Sequence, residues 1–125
     1  MAVTEQAQFI VTQQNGIPIL EVTGDIDVSN ITQFQKAMVD AAGSDGDVVT
    51  SLRKVRYLDS RMVHELFTLA KRFAQSRRAF ALVSPESKSA RYILDTAGVP
   101  KIVACFNSIE DAIQSLDVSG NQAAD

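Results

Sequence analysis

Between residues 8 and 116 the chain alternates short apolar runs with stretches whose apolar residues recur three and four apart, and this limits it to few architectures. The stretch "AQFIVTQQNGIPILEVTG" divides at Asn15-Gly16, a dipeptide that accepts positive φ at both central positions of a tight turn, and so predicts two antiparallel strands. After it, "SNITQFQKAMVDAAG" places Ile31, Phe34, Met38 and Ala41 on one helical face, with Ser29 or Asn30 as cap and Gly43 as terminator. "DVVTSL" reads as a strand, and "VRYLDS" runs to the turn before a second helix with a stripe of Val63, Leu66, Phe67, Ala70 and Phe73. His64, Thr68, Lys71 and Gln75 then face water. "AFALVS" has the all-apolar character of a strand buried on both faces, and Ser84-Pro85 reads as cap and first-turn proline of a third helix that Gly98 and Pro100 end. "KIVACF" reads as the last strand, and "NSIEDAIQSL" as a closing helix capped by Asn107 or Ser108.

This order predicts an α/β fold: one mixed sheet, an N-terminal antiparallel hairpin leading into parallel strand–helix units, with about four helices. The expected domain spans 1–116, and the polar stretch 117–125 reads as a flexible C-terminal tail. With 125 residues, 46% of them hydrophobic, the chain can bury a core without staples. One cysteine, Cys105, and one histidine, His64, exclude an intrachain disulfide and a structural zinc site built from one chain. Cys105 itself reads as a buried small hydrophobe. No apolar run approaches the ~18 residues of a membrane span, and "MAVTEQAQFI" lacks the basic start of a signal peptide, so a cytoplasmic location without membrane insertion is expected.

Charge is uneven along the chain. Met1 to Asp47 holds seven acids and one base, Val48 to Lys101 four acids and eleven bases, and Ile102 to Asp125 four acids and no base. The bases fall where a turn around Arg53, Lys54 and Arg56 and a helix end around Lys71, Arg72, Arg77 and Arg78 are expected. They therefore read as a solvated, partly dipole-compensating surface and not as a nucleic-acid footprint.

In open sheets of this kind functional groups gather at the carboxyl ends of strands, where Asp25, Asp27, Asp59 and Ser60 all fall. Ser60 and His64, four apart on one helix, could pair as nucleophile and base. The chain has no Gly-x-Ser-x-Gly elbow and no glycine-rich oxyanion loop, which argues against a hydrolase. It also has no P-loop or G-x-G-x-x-G, so no nucleotide or other cofactor is expected.

Gly24-Asp25-Ile26-Asp27 after the hairpin matches a Gly-x-Leu-Asp pattern, and Leu58-Asp59-Ser60 before the second helix matches Asp-Ser-Ser-Gly. Together with "ALVSPESKSARYILDTAGV" and "FNSIEDAIQSL", in order and spacing from Ala7 to about Leu116, these residues resemble the STAS domain of sulphate transporters and bacterial anti-sigma factor antagonists. The resemblance implies a non-enzymatic cytoplasmic protein of transcription regulation whose partner is an anti-sigma factor of the serine-protein-kinase type. A weak homodimer is the self-association it admits. It implies Ser60 as phosphoacceptor and a docking face of Asp25, Asp27, Asp59, Ser60, Arg61, Met62 and His64. Arg61 and Met62 stand where the family pattern has a second serine and a glycine, and Ser51-Leu52 where Asp-Leu is usual. The alternative is a phosphorylation-independent scaffold or regulatory subunit, for example of a lipid-transport ATPase. If Ser60 has only a structural task, that task is to cap the second helix.

Overall fold

The computed structural model describes residues 7–44 and 46–124, with side chains described through Leu116. Asn15 (φ 55°) and Gly16 (φ 76°) both take the left-handed conformation, so β1 (Gln8–Gln14) and β2 (Ile17–Ile26) pair antiparallel from Gln14 opposite Ile17 to Gln8 opposite Thr23. The chain then alternates α1 (Ile31–Ala42), β3 (Val48–Leu58), α2 (Ser60–Gln75), β4 (Phe80–Val83), α3 (Lys88–Thr96), a 3-10 turn (Val99–Lys101), β5 (Cys105–Phe106) and α4 (Ile109–Ala124). The five strands lie in the order β1-β2-β3-β4-β5, and every pairing after the hairpin is parallel. The expected mixed sheet with four helices is the observed fold.

Alternation along β2 divides the core in two. Leu20, Val22 and Ile26 face one side of the sheet with Phe34 and Met38 of α1, Leu66, Leu69 and Phe73 of α2, and Leu94 of α3. Ile19 faces the other side with Val49, Ala81 and Val83, covered by Ala112 and Ile113 of α4. β4, with a helix layer on each face, is buried at all four positions, as its apolar run predicts.

Several boundaries differ from the sequence reading. β3 is one strand of 11 residues with no turn at Arg53-Lys54. Its cations lie beside carboxylates of β2, Arg53 Nη2 being 3.8 Å from Glu21 Oε1 and Arg56 Nε 3.9 Å from Asp25 Oδ1, so charge marks a strand edge of the core and not a break. Register shifts between Glu21 and Thr23 and between Gly24 and Asp25 let eight residues of β2, Ile19 to Ile26, run alongside ten of β3, Val49 to Leu58. α3 begins at Lys88, not at Ser84-Pro85, because Ser84 N–H donates to Phe106 C=O (2.8 Å) and Glu86 N–H to Arg53 C=O (3.0 Å), which holds that segment against the strand ends. The cap is Ser87, whose Oγ accepts from Ala90 N–H. The last strand shrinks to two residues because Ile102 and Val103 N–H both donate to Val99 C=O, committing that backbone to a turn that contains Pro100. α4, with Ser108 Oγ accepting from Asp111 N–H, runs on to Ala124 where the sequence reading places a tail from Asp117. Adding residues to a formed helix costs little nucleation.

Candidate functional site

The end of β2, the loop after it and the start of α2 converge where Asp25 stands beside Tyr57 and Ile26 beside Leu58 in the parallel register. Asp59 takes an extended conformation, and its Oδ1 accepts from Arg61 N–H (3.0 Å) and Met62 N–H (3.2 Å), so Asp59 is the cap of α2. Ser60 is the first helical residue and exposed. The structural role that sequence allows for Ser60 therefore belongs to Asp59. Among the described residues the Ser60 hydroxyl makes no hydrogen bond. Asp59→Ala should lower the stability of the domain by about 0.5–2 kcal/mol, read as an earlier midpoint in urea denaturation.

The loop between β2 and α1 is knit by its own polar groups. Asn30 Nδ2 donates to Asp25 C=O (2.9 Å), Asn30 Oδ1 accepts from Asp27 N–H (3.1 Å), and Asp27 Oδ1 accepts from Ser29 N–H (2.9 Å) and the Ser29 hydroxyl. Those two bonds from Ser29, the hydroxyl first, hold the Asp27 carboxyl below its ordinary range, so it is charged at neutral pH. Asn30 occupies the cap position of α1, but its side chain serves the loop and leaves that helix without a side-chain cap.

A groove of about 510 Å³ opens between the starts of α1 and α2, lined by Val28, Ile31, Thr32, Ser60, Arg61, His64 and Glu65. It gathers three of the expected docking residues: Ser60, Arg61 and His64, all exposed. Asp59 and Asp27 lie outside its lining. Asp25 alternates with Ile26 onto the opposite side of the sheet, where it faces Arg56. Met62 is a correction: it is fully buried in the core beneath α2, because its position follows the stripe of Leu66, Leu69 and Phe73. Val28 (60% exposed), Ile31, Thr32 and Glu65 are lining residues that the sequence does not point to. Ile31 read as core, and Val28 is an isolated apolar residue in a polar loop that only its exposure singles out. Burial pushes the Glu65 carboxyl up, partly offset by Arg72 and His64, and its Oε2 is buried without a hydrogen bond.

Other reactive groups are muted. The half-buried Cys105 thiol is pushed up to about 11, first by burial and then by Asp95, so it stays protonated at neutral pH. Among the described residues no three His, Cys, Asp or Glu side chains come together, and no helix is long and apolar enough to cross a membrane.

The sequence matches the STAS domain model over residues 8–112. This chain belongs to the STAS domain family. A comparison with curated proteins finds no match. Among solved structures, an anti-sigma factor antagonist from Mycobacterium paratuberculosis superposes with a TM-score of 0.80 at 17% identity, covering 92% of this chain and 97% of that one. The anti-sigma factor antagonist SpoIIAA in its unphosphorylated form gives a TM-score of 0.67 at 16% identity over 88% and 96% of the two chains. The murine Solute Carrier 26 family member A9 anion transporter, inward-facing, gives 0.71 at 17% identity, covering 86% of this chain but 18% of that one. The STAS fold of this chain is thus shared by stand-alone antagonists and by a module within a transporter, and this non-enzymatic family is consistent with a site built for docking.

Proposed function

We propose that this protein is an anti-sigma factor antagonist, a protein–protein interaction switch that binds an anti-sigma factor of the serine-kinase type and is released when Ser60 is phosphorylated. The observation that carries this reading is the division of labour at the start of α2. Asp59 caps the helix, so the adjoining Ser60 hydroxyl is exposed and uncommitted at the rim of the groove. The likeness to SpoIIAA, solved in its unphosphorylated form, supports phosphorylation as a state of this fold.

The chemistry follows from position. The kinase passes the γ-phosphoryl of ATP to Ser60 Oγ, ADP leaves, and the hydroxyl proton goes to solvent. The new group carries about −1.5 to −2 charges and sits at a helix N-terminus, whose dipole tolerates it. The helix therefore survives while the charge of the groove rim changes. Arg61, next in sequence and exposed, is placed to offset part of that charge. Asp27 and Asp59 contribute negative potential around the strand ends while Asp25 is taken up by Arg56, and His64 adds a polar rim; the apolar Val28 and Ile31 supply contact area.

Ser60→Ala should keep its stability within about 0.5 kcal/mol, since it removes no cap, and should bind the partner without being modified. Ser60→Asp should fold normally and bind more weakly, and Ser60→Asp with Arg61→Ser should bind more weakly still. Calorimetric titration with the anti-sigma factor, and intact mass after incubation with that kinase and ATP, read these outcomes. If Ser60→Ala and Ser60→Asp bind alike and no phosphate appears on Ser60, the reading fails in favour of a phosphorylation-independent scaffold or regulatory subunit, for example of a lipid-transport ATPase.

A further inference from the structure

The sheet ends at β1, and among the described residues no strand pairs with its outer side. Protein edges are ordinarily blunted by charge, proline or shortness. β1 has none of these: its seven residues, Gln8 to Gln14, include no Lys, Arg, Asp, Glu or Pro. Ile10 is 53% and Val11 49% exposed, and Phe9 is half-buried with its ring 6.4 Å from that of Phe34, which fastens the strand to α1. The edge is therefore firmly held, flat in charge and apolar at its centre.

The two-residue turn makes Gln14 and Ile17 the hydrogen-bonded pair that closes the hairpin. By alternation Phe9, Val11 and Gln13 then direct their N–H and C=O groups outward. We propose that two copies of this chain associate through β1, antiparallel about Val11, joining their sheets into one. In that register Val11 stands opposite itself, Ile10 opposite Thr12, Phe9 opposite Gln13 and Gln8 opposite Gln14. Two bonds at each outward-facing position yield about six hydrogen bonds across the seam. No charge meets a like charge, although each copy carries a net charge of −3. Ile10 meets its own copy diagonally on one face while the Val11 pair meets on the other.

The occupant is a second copy because the strand is complementary to itself, and association stops at two because the other edge, β5, has only two residues and cannot receive β1. A seam of seven residues falls below the roughly 1,200 Å² of stable interfaces, so the dimer is weak and concentration-dependent. The Ser60 groove is lined from the starts of α1 and α2 and by no residue of β1, so the seam uses none of the groove residues.

Sedimentation equilibrium of the full chain from about 10 μM to about 1 mM should show the mass rise from 13.6 kDa toward twice that value, the range a small interface implies. Val11→Lys, which sets two ammonium groups against each other, should raise the dimer Kd at least about tenfold without moving the melting temperature. In a Cys105→Ala background, Val11→Cys should oxidise to a linked dimer while Gln13→Cys, which faces Phe9, should not. A wild-type chain that is monomeric throughout, a Val11→Lys chain that dimerises as well as wild type, or equal cross-linking at both cysteines overturns the proposal. If Val11→Lys does not fold, the cysteine pair decides.

Discussion

Leu66→Ala should destabilise the domain by about 2–5 kcal/mol, seen as an earlier urea midpoint with an unchanged slope. Leu66 is completely buried where α2 meets the sheet, in the cluster that holds Phe34, Met38 and Phe73, and its truncation leaves a cavity that those neighbours fill only in part. A single-domain protein has a total stability of about 5–15 kcal/mol, so this one change removes a large share. Phe67→Ala, one residue on, should cost clearly less. Its ring is only half-buried and packs at the margin of the same cluster. A helical stripe read from sequence ranks the two alike; equal losses would mean that the observed burial of Phe67 is wrong.

Met62→Ala is the second large effect, again about 2–5 kcal/mol, and it acts through folding alone. With no exposed surface, Met62 cannot touch a partner, so folded Met62→Ala protein should bind the proposed anti-sigma factor partner with wild-type affinity. Arg61 and His64, on either side of it in sequence, are exposed on the groove, so Arg61→Ser and His64→Ala form the matched comparison. A Met62→Ala chain that melts like wild type yet loses its partner would show that the docking face extends under α2 and that the groove is drawn in the wrong place.

The parts of the fold that local chemistry controls were legible. Asn15-Gly16 specifies its turn because few residues accept positive φ twice in a row, and the all-apolar run Phe80 to Val83 specifies a strand covered on both faces. Charge was the misleading signal. Arg53 and Lys54 looked like a break, but a sheet long enough to bring Glu21 and Asp25 alongside keeps cations on a strand. Pro85 misleads in a related way: it lies buried before its helix, because backbone bonds from Ser84 to Phe106 and from Glu86 to Arg53 set that segment, whereas Gly98 and Pro100 do follow the end of α3.

At the candidate site, sequence alone determined that an acid and a serine stand between a buried strand and an amphipathic helix, and that the chain is an α/β sheet opened by a hairpin. Tertiary structure decided which of the two residues does what. Asp59, extended in backbone, reaches two N–H groups of α2 and becomes the cap, which leaves the Ser60 hydroxyl exposed. It also decided that Met62 turns inward, that Asp25 faces Arg56 across the sheet from α2, and that Val28 and Ile31 of another element complete the groove. The physical reason is the same each time. A residue's type and spacing set what it can bond, but the rotation of a helix on a sheet and the parity of a strand set which face it occupies, and those follow only from packing of the whole core.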